Sequence, residues 1–385
     1  MRNYLQACLL TSLIALTACN TIEHRSEAIA KVPLSPVQNK ISAQLLWKNN
    51  TGKGIGRFGS RLNLSLSHNN FIAADNQGQV YAINQKNGAV VWRTALKQVI
   101  TAGPLAYGHL AYVGLHNAKL TALNTSTGVQ AWQAPLTSEM FATPMSHEGT
   151  VYVHTLDGGL TALSEQDGRQ LWRYSLNTPT LLLRSGSRPV IYKDHVITAF
   201  ANGKVVAMQR MDGTVAWEQE LAKPKGRSDI QRMVDLSADP ILAGDMLYVV
   251  GFKGPLAAID AQDGNIQWKA NVQSVAGLEV DAKNIYVSDA AGVVQAVKRD
   301  NGENVWQQPA LTGRRLTKPL LYKNIIFVGD EEGYLHGLAA SDGHLLARFK
   351  IDGSGLEAPL FMQQDILYIS ANNGNIYAYQ IQSGK

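Results

Sequence analysis

Short stretches of alternating apolar and polar residues recur along the chain in units of about 40 residues. One set is Val80–Ile83, Leu120–Leu123, Leu160–Leu163, Val205–Met208, Leu256–Ile259, Val294–Val297, Leu335–Leu338 and Ile376–Tyr379. Runs of this length with period two read as strands. A turn pair follows, for example Asn87 and Gly88, Asp167 and Gly168, or Asp263 and Gly264. Asn-Gly and Asp-Gly accept positive φ and mark hairpins. Upstream lie a second strand, as at Thr150–Val153, and a proline-led strand, as at Pro144 and Met145. Four short strands per repeat, with no helical period, predict a blade of four antiparallel strands.

Four residues after each turn glycine stands a tryptophan. The pairs are Gly88 with Trp92, Gly128 with Trp132, Gly168 with Trp172, Gly213 with Trp217, Gly264 with Trp268, and Gly302 with Trp306. Degenerate copies follow at Gly343, with Ala347 in the tryptophan position, and at Gly384. Eight units predict an all-β, eight-bladed β-propeller over residues 43–385. Trp47 has no glycine four residues before it, so its strand is expected to close the ring by completing the last blade. Burying a tryptophan removes roughly 150–250 Å² from water, an upper bound of about 4–6 kcal/mol. The seven tryptophans therefore read as structural cement between blades.

Residues 1–18 read as a signal peptide: Arg2, an apolar stretch from Leu5 to Leu16, and a small-residue exit. Leu16, Thr17, Ala18 and Cys19 resemble a bacterial lipobox, which makes Cys19 the expected lipidation site. Cys8 leaves with the leader, so Cys19 is the one cysteine expected in the mature chain, and no internal disulfide is expected. By the same resemblance, Asn20 after the cysteine lacks the aspartate of inner-membrane retention. The expected address is the outer membrane, with the propeller in the periplasm. Residues 19–42 read as the lipidated cysteine and a flexible tether of about 22 residues, reaching ~25–30 Å.

The formal net charge is +5, mild for 385 residues. Basic residues at 223–227 and at Arg314 and Arg315 read as solvated loops, and nucleic acid is not an expected partner. No metal-ligand spacing and no nucleophile motif is present in the sequence. Residues 54–59 match G-x-G-x-x-G by letter but follow a tether and precede a strand, and read as a mobile loop. Asp330, Glu331, Glu332 and Gly333 read as a solvated acidic turn. No cofactor is expected.

The spacing carries a second message. From first-strand proline to turn glycine it is constant at 24 residues (Pro104–Gly128, Pro144–Gly168, Pro189–Gly213, Pro240–Gly264, Pro319–Gly343). From turn glycine to the next proline it is 16 at Gly88–Pro104 and Gly128–Pro144, but 21 at Gly168–Pro189 and 27 at Gly213–Pro240. Two consecutive crossings between blades are enlarged and should lie side by side. One carries Leu181, Leu182, Leu183 and Arg184; the other carries Asp229, Arg232 and Asp235. An apolar patch rimmed by charge on inserted loops marks a contact surface.

With these features the chain resembles two families that share the glycine-to-tryptophan repeat. One is the quinoprotein dehydrogenases. The other, matched along the whole chain, is the BamB family of propeller lipoproteins in the outer-membrane β-barrel assembly machinery. Residues 54–56, 181–184, 229–232 and 328–336 look similar to that family. The resemblance implies a non-enzymatic scaffold that binds the POTRA region of BamA, alongside other subunits of the machinery and unfolded β-barrel substrates. It carries the contact over to Leu181, Leu183, Arg184 and Asp235, with Leu182, Asp229 and Arg232 as additional contacts. One departure is Ser237, where the family pattern has an acid. Two alternatives stay open: a quinoprotein-like dehydrogenase, and a propeller adaptor for another envelope partner.

Overall fold

The computed structural model describes residues 29–50, 52–56, 61–178, 186–223, 227 and 234–383. The leader, Cys19 and Gly384 lie outside them. The described strands form eight antiparallel sheets of four strands, one extended by a fifth. In chain order the blades are 65–95, 100–135, 145–175, 190–220, 241–270, 278–308, 320–350 and 361–383. The eighth blade takes its outer strand from Ile41–Asn50, which pairs antiparallel with Asn375–Ser383. Eight blades, four strands each and closure by the first strand are as the repeat spacing predicts. The fifth strand, Arg61–Leu62, runs parallel to Ile100–Tyr107 along the inner edge of blade two.

Each blade is built on a cross-strand row. Tyr112, Ala122 and Trp132 stand opposite one another in blade two, and Tyr152, Ala162 and Trp172 in blade three. The small alanine between two rings lets the tryptophan lie flat across the sheet, tilted on the tyrosine at 5.8 Å and 5.9 Å.

The glycine and tryptophan of one repeat serve different joints. Gly128, at φ +72°, packs under Trp92 of the preceding blade; Gly168, at φ +74°, packs under Trp132. A Cβ at Gly168 would sit 2.6 Å from the Trp132 ring. Each indole N–H donates to a carbonyl of the next blade, as from Trp92 to Thr125 (2.8 Å) and from Trp132 to Glu165 (2.9 Å). Trp47 closes the series on Gly88 and the Gln85 carbonyl. The motif is thus a plug and socket repeated around the ring, and the tryptophans are inter-blade cement.

Blade seven has Ala347 where the other blades have tryptophan, and Gly337 opposite it. Ile41 fills the space, its Cδ1 lying 3.2 Å from where a Gly337 Cβ would be. The chain before it is not a free tether from residue 29 onward. It runs along the outer edge of blade seven. Val32 N–H donates to the Thr312 carbonyl and Lys40 N–H to that of Leu346. Asn39 accepts from the Arg348 N–H at 2.8 Å, and the Arg348 guanidinium donates to the Ser35 carbonyl at 2.6 Å. Lys31 pairs with Glu331 and Glu332. Polar, proline-containing sequence gave no regular period because this strap is held by long-range partners rather than by local structure.

Those partners also correct the reading of the acidic turn and of Arg314. Asp330 is 0% and Arg314 6% exposed. Arg314 bridges Asp330 (3.4 Å) and Glu332 (2.6 Å). The buried His336 donates from Nε2 to Asp330 at 2.9 Å and accepts from Arg348 at Nδ1 at 3.3 Å. Arg315 does stay exposed. Of the glycine-rich segment 54–59, residues 57–59 lie outside the described residues, Gly56 is exposed, and Gly54 and Ile55 are packed rather than loose: Ile55 N–H donates to the Asn372 carbonyl, Gly54 accepts from Asn76 N–H, and Ile55 packs on an inter-blade core.

Candidate functional site

Antiparallel strand order sends every crossing, from the outer strand of one blade to the inner strand of the next, to one rim. The hairpins between second and third strands share that rim; the turn glycines occupy the other. On the crossing rim, residues 176–189 join blades three and four, and residues 221–240 join blades four and five. These are the two enlargements that the spacing located. Leu181, Leu182, Leu183, Arg184, Asp229 and Arg232 fall outside the described residues. The feet of both loops are described, and they meet.

Arg61 makes the junction. Its guanidinium donates to the Gly186 carbonyl of the first loop at 2.8 Å and to the Ser237 carbonyl of the second at 3.1 Å. One side chain from the inner edge of blade two therefore ties both crossings. A second tie runs from the Arg188 N–H to Asp239 at 2.9 Å. Under the first loop lies His154, packed edge-on against Phe200 at 4.9 Å. Its Nδ1 donates to the Ser187 carbonyl at 3.0 Å, which fixes the tautomer. Burial pushes the His154 pKa down, outweighing the bond to Ser187, so the ring is a neutral prop.

The foot of the second loop is equally fixed. Asp235 and Phe252 exchange two backbone hydrogen bonds. Leu236 is fully buried and leaves no room for a Cβ at Gly251 or Gly254. The Asp235 side chain is 2% exposed, beside Thr178 and Ser187 of the first loop. Asp235 thus stands beneath the rim, between the two loops, rather than on its surface. Ser237, where the resemblance expects an acid, is 1% exposed. Reading the sequence missed Arg61; its only local signal is a lone arginine opening an alternating run.

A family profile described as outer membrane protein assembly factor BamB matches residues 76–308 and 290–385. The chain belongs to the BamB family. BamB of Pseudomonas aeruginosa is 40% identical over 383 residues, covering 99% of this chain and 100% of the relative. BamB of Escherichia coli K12 is 33% identical over 379 residues, covering 96% and 97%. Among solved structures, BamB of Moraxella catarrhalis superposes with a TM-score of 0.81 at 24% identity, covering 88% of this chain and all of that one. Quinohemoprotein alcohol dehydrogenase of Comamonas testosteroni gives 0.73 at 13% identity, covering 90% and 77%. That second likeness is one of fold alone. The BamB relatives are named as assembly factors, not as oxidoreductases.

Proposed function

We propose that this chain is a non-enzymatic scaffold subunit of the outer-membrane β-barrel assembly machinery. It is anchored in the outer membrane through lipidated Cys19, with its propeller in the periplasm, and it binds the POTRA region of BamA. The contact surface is the pair of enlarged crossings. Leu181 and Leu183 supply apolar anchors and Arg184 the charged one, while Asp235 holds the loops from below. The observation that carries this reading is the tie between the two loops. Arg61 spends one guanidinium on both feet, which makes two inserted segments a single platform at small entropic cost on binding. Full-length kinship with named BamB proteins supports the partner.

The test is binding of the non-acylated chain, residues 20–385, to the purified POTRA region of its cognate BamA. Leu183→Glu and Arg184→Glu are expected to weaken binding at least tenfold, about 1.4 kcal/mol or more, with unchanged melting temperature. Wild-type affinity in both variants would remove the contact from this platform. No binding by the wild type well above micromolar concentration would overturn the partner.

A further inference from the structure

We propose that the mouth of the central channel binds a small organic carboxylate with an apolar body. The crossing rim surrounds a cavity of about 510 Å³, within the range of small-molecule sites. Seven blades contribute residues just before or within their innermost strands, and Arg61–Leu62 covers the inner edge of the remaining one, blade two, so the cavity lies on the propeller axis. Its apolar wall includes Leu62, Leu64, Leu316, Leu360 and Phe361. Its charged groups are Arg61, Arg188, Lys318, Asp239 and Glu357.

Accounting for those charges leaves a cationic surplus on one side. Lys318 is paired with Glu279 at 3.1 Å, and Glu357 with Arg315 at 3.1 Å. Asp239 accepts from the Arg188 backbone N–H. Among the described residues neither arginine pairs with a carboxylate. Arg61 contacts two carbonyl oxygens through Nη1, and the Arg188 guanidinium contacts the Met145 sulfur, at 3.6 Å. Both are half-buried. Asp239 keeps its charge, so the two guanidinium groups leave one net positive charge in a concave, partly apolar mouth, which focuses a positive potential. Their planar donor forks match a carboxylate, and the facing leucines and Phe361 match an apolar body attached to it. A free metabolite or the C-terminus of a peptide chain would offer this same chemistry.

Arg188 is the residue to perturb, because its side chain holds no loop in place, whereas Arg61 does. Calorimetric titration of the non-acylated chain with N-acetyl-phenylalanine is expected to give a Kd of about a millimolar or tighter. N-acetyl-phenylalaninamide and inorganic phosphate should each bind at least tenfold more weakly. Arg188→Gln should lose at least tenfold in affinity for the acid and nothing for the amide, at an unchanged melting temperature. A pentapeptide ending in phenylalanine, with free against amidated C-terminus, distinguishes the two sources: tighter binding by the free-acid peptide than by the amino acid assigns the site to chain ends, and the reverse to a small molecule. Equal affinity for acid and amide, binding of phosphate as tight as the acid, or wild-type affinity in Arg188→Gln would overturn the proposal.

Discussion

Gly168→Ala and Gly149→Ala form a matched pair that isolates the plug-and-socket joint. Both glycines have nearly the same backbone, φ +74° and φ +77°. Alanine in the left-handed region costs roughly 1–2 kcal/mol at either site. The surroundings differ. Nothing lies within 4 Å of a Cβ at Gly149, whereas one at Gly168 meets Trp132 Cε3 at 2.6 Å and Cζ3 at 2.9 Å. Real carbon contacts sit near 3.5–4.0 Å, so the indole must retreat by about an ångström. That retreat stretches its 2.9 Å bond to the Glu165 carbonyl. Overpacking of this kind adds roughly 1–3 kcal/mol. Gly149→Ala should therefore cost about 1–2 kcal/mol and Gly168→Ala about 2–5 kcal/mol. The assay is the urea midpoint by circular dichroism, with the slope checked for constancy. A third variant, Trp132→Leu, should make the Gly168→Ala change markedly cheaper, since the two residues touch. Equal midpoint shifts for Gly168→Ala and Gly149→Ala would refute the joint, and so would simple additivity with Trp132→Leu.

Two further outcomes follow from buried charge and from the loop tie. Burial depresses the His336 pKa despite the pull of Asp330. The neutral ring's contribution is then complete above the unfolded value of about 6.5 and is lost as pH falls from there toward the folded pKa. For Asp330, burial alone would raise the carboxyl, but the bonds from His336 and the Tyr334 N–H together hold it below the usual range. Its contribution is lost only below about pH 4. Urea midpoints should fall as pH drops below about 6.5, and His336→Gln should flatten that decline; an unchanged slope in the variant would assign the titration elsewhere. Arg61→Ala removes both hydrogen bonds that join the crossings, so limited proteolysis within 176–189 and 221–240 should accelerate several-fold. Protection equal to wild type would show that the loops do not depend on Arg61.

The ring was legible because its signal is periodic. Turn glycines and tryptophans at fixed spacing give the blade count, and the unmatched Trp47 gives the closure. What stayed hidden is which glycine each tryptophan meets. The motif pairs Gly128 with Trp132 along the chain, while the packing pairs Gly128 with Trp92. Charged residues were misread for the same reason. Asp330 in an acidic turn looks solvated when only its neighbours are considered. Its burial depends on Arg314, on His336 across the hairpin, and on a strap bearing Lys31 about three hundred residues away in sequence. The enlarged crossings could be located from length alone, since insertions do not disturb the blade period. Their joint foot could not, because Arg61 touches the Gly186 and Ser237 backbones, and carbonyl partners leave no trace in side-chain identity.

Closure by Ile41–Asn50 sets an order of events in folding. The strand bearing Trp47 has no partner until Asn375–Ser383, more than three hundred residues further along the chain, arrives to receive it. Over that interval its backbone is an open edge, and Leu45 and Leu46 beside it remain nearly half exposed even in the finished fold. No shorter product can satisfy it, because the missing partner is the last strand of the propeller. The chain thereby carries its own mark of incompleteness: an orphaned tryptophan strand near the front of every unfinished copy, open to chaperones and proteases until the final residues erase it.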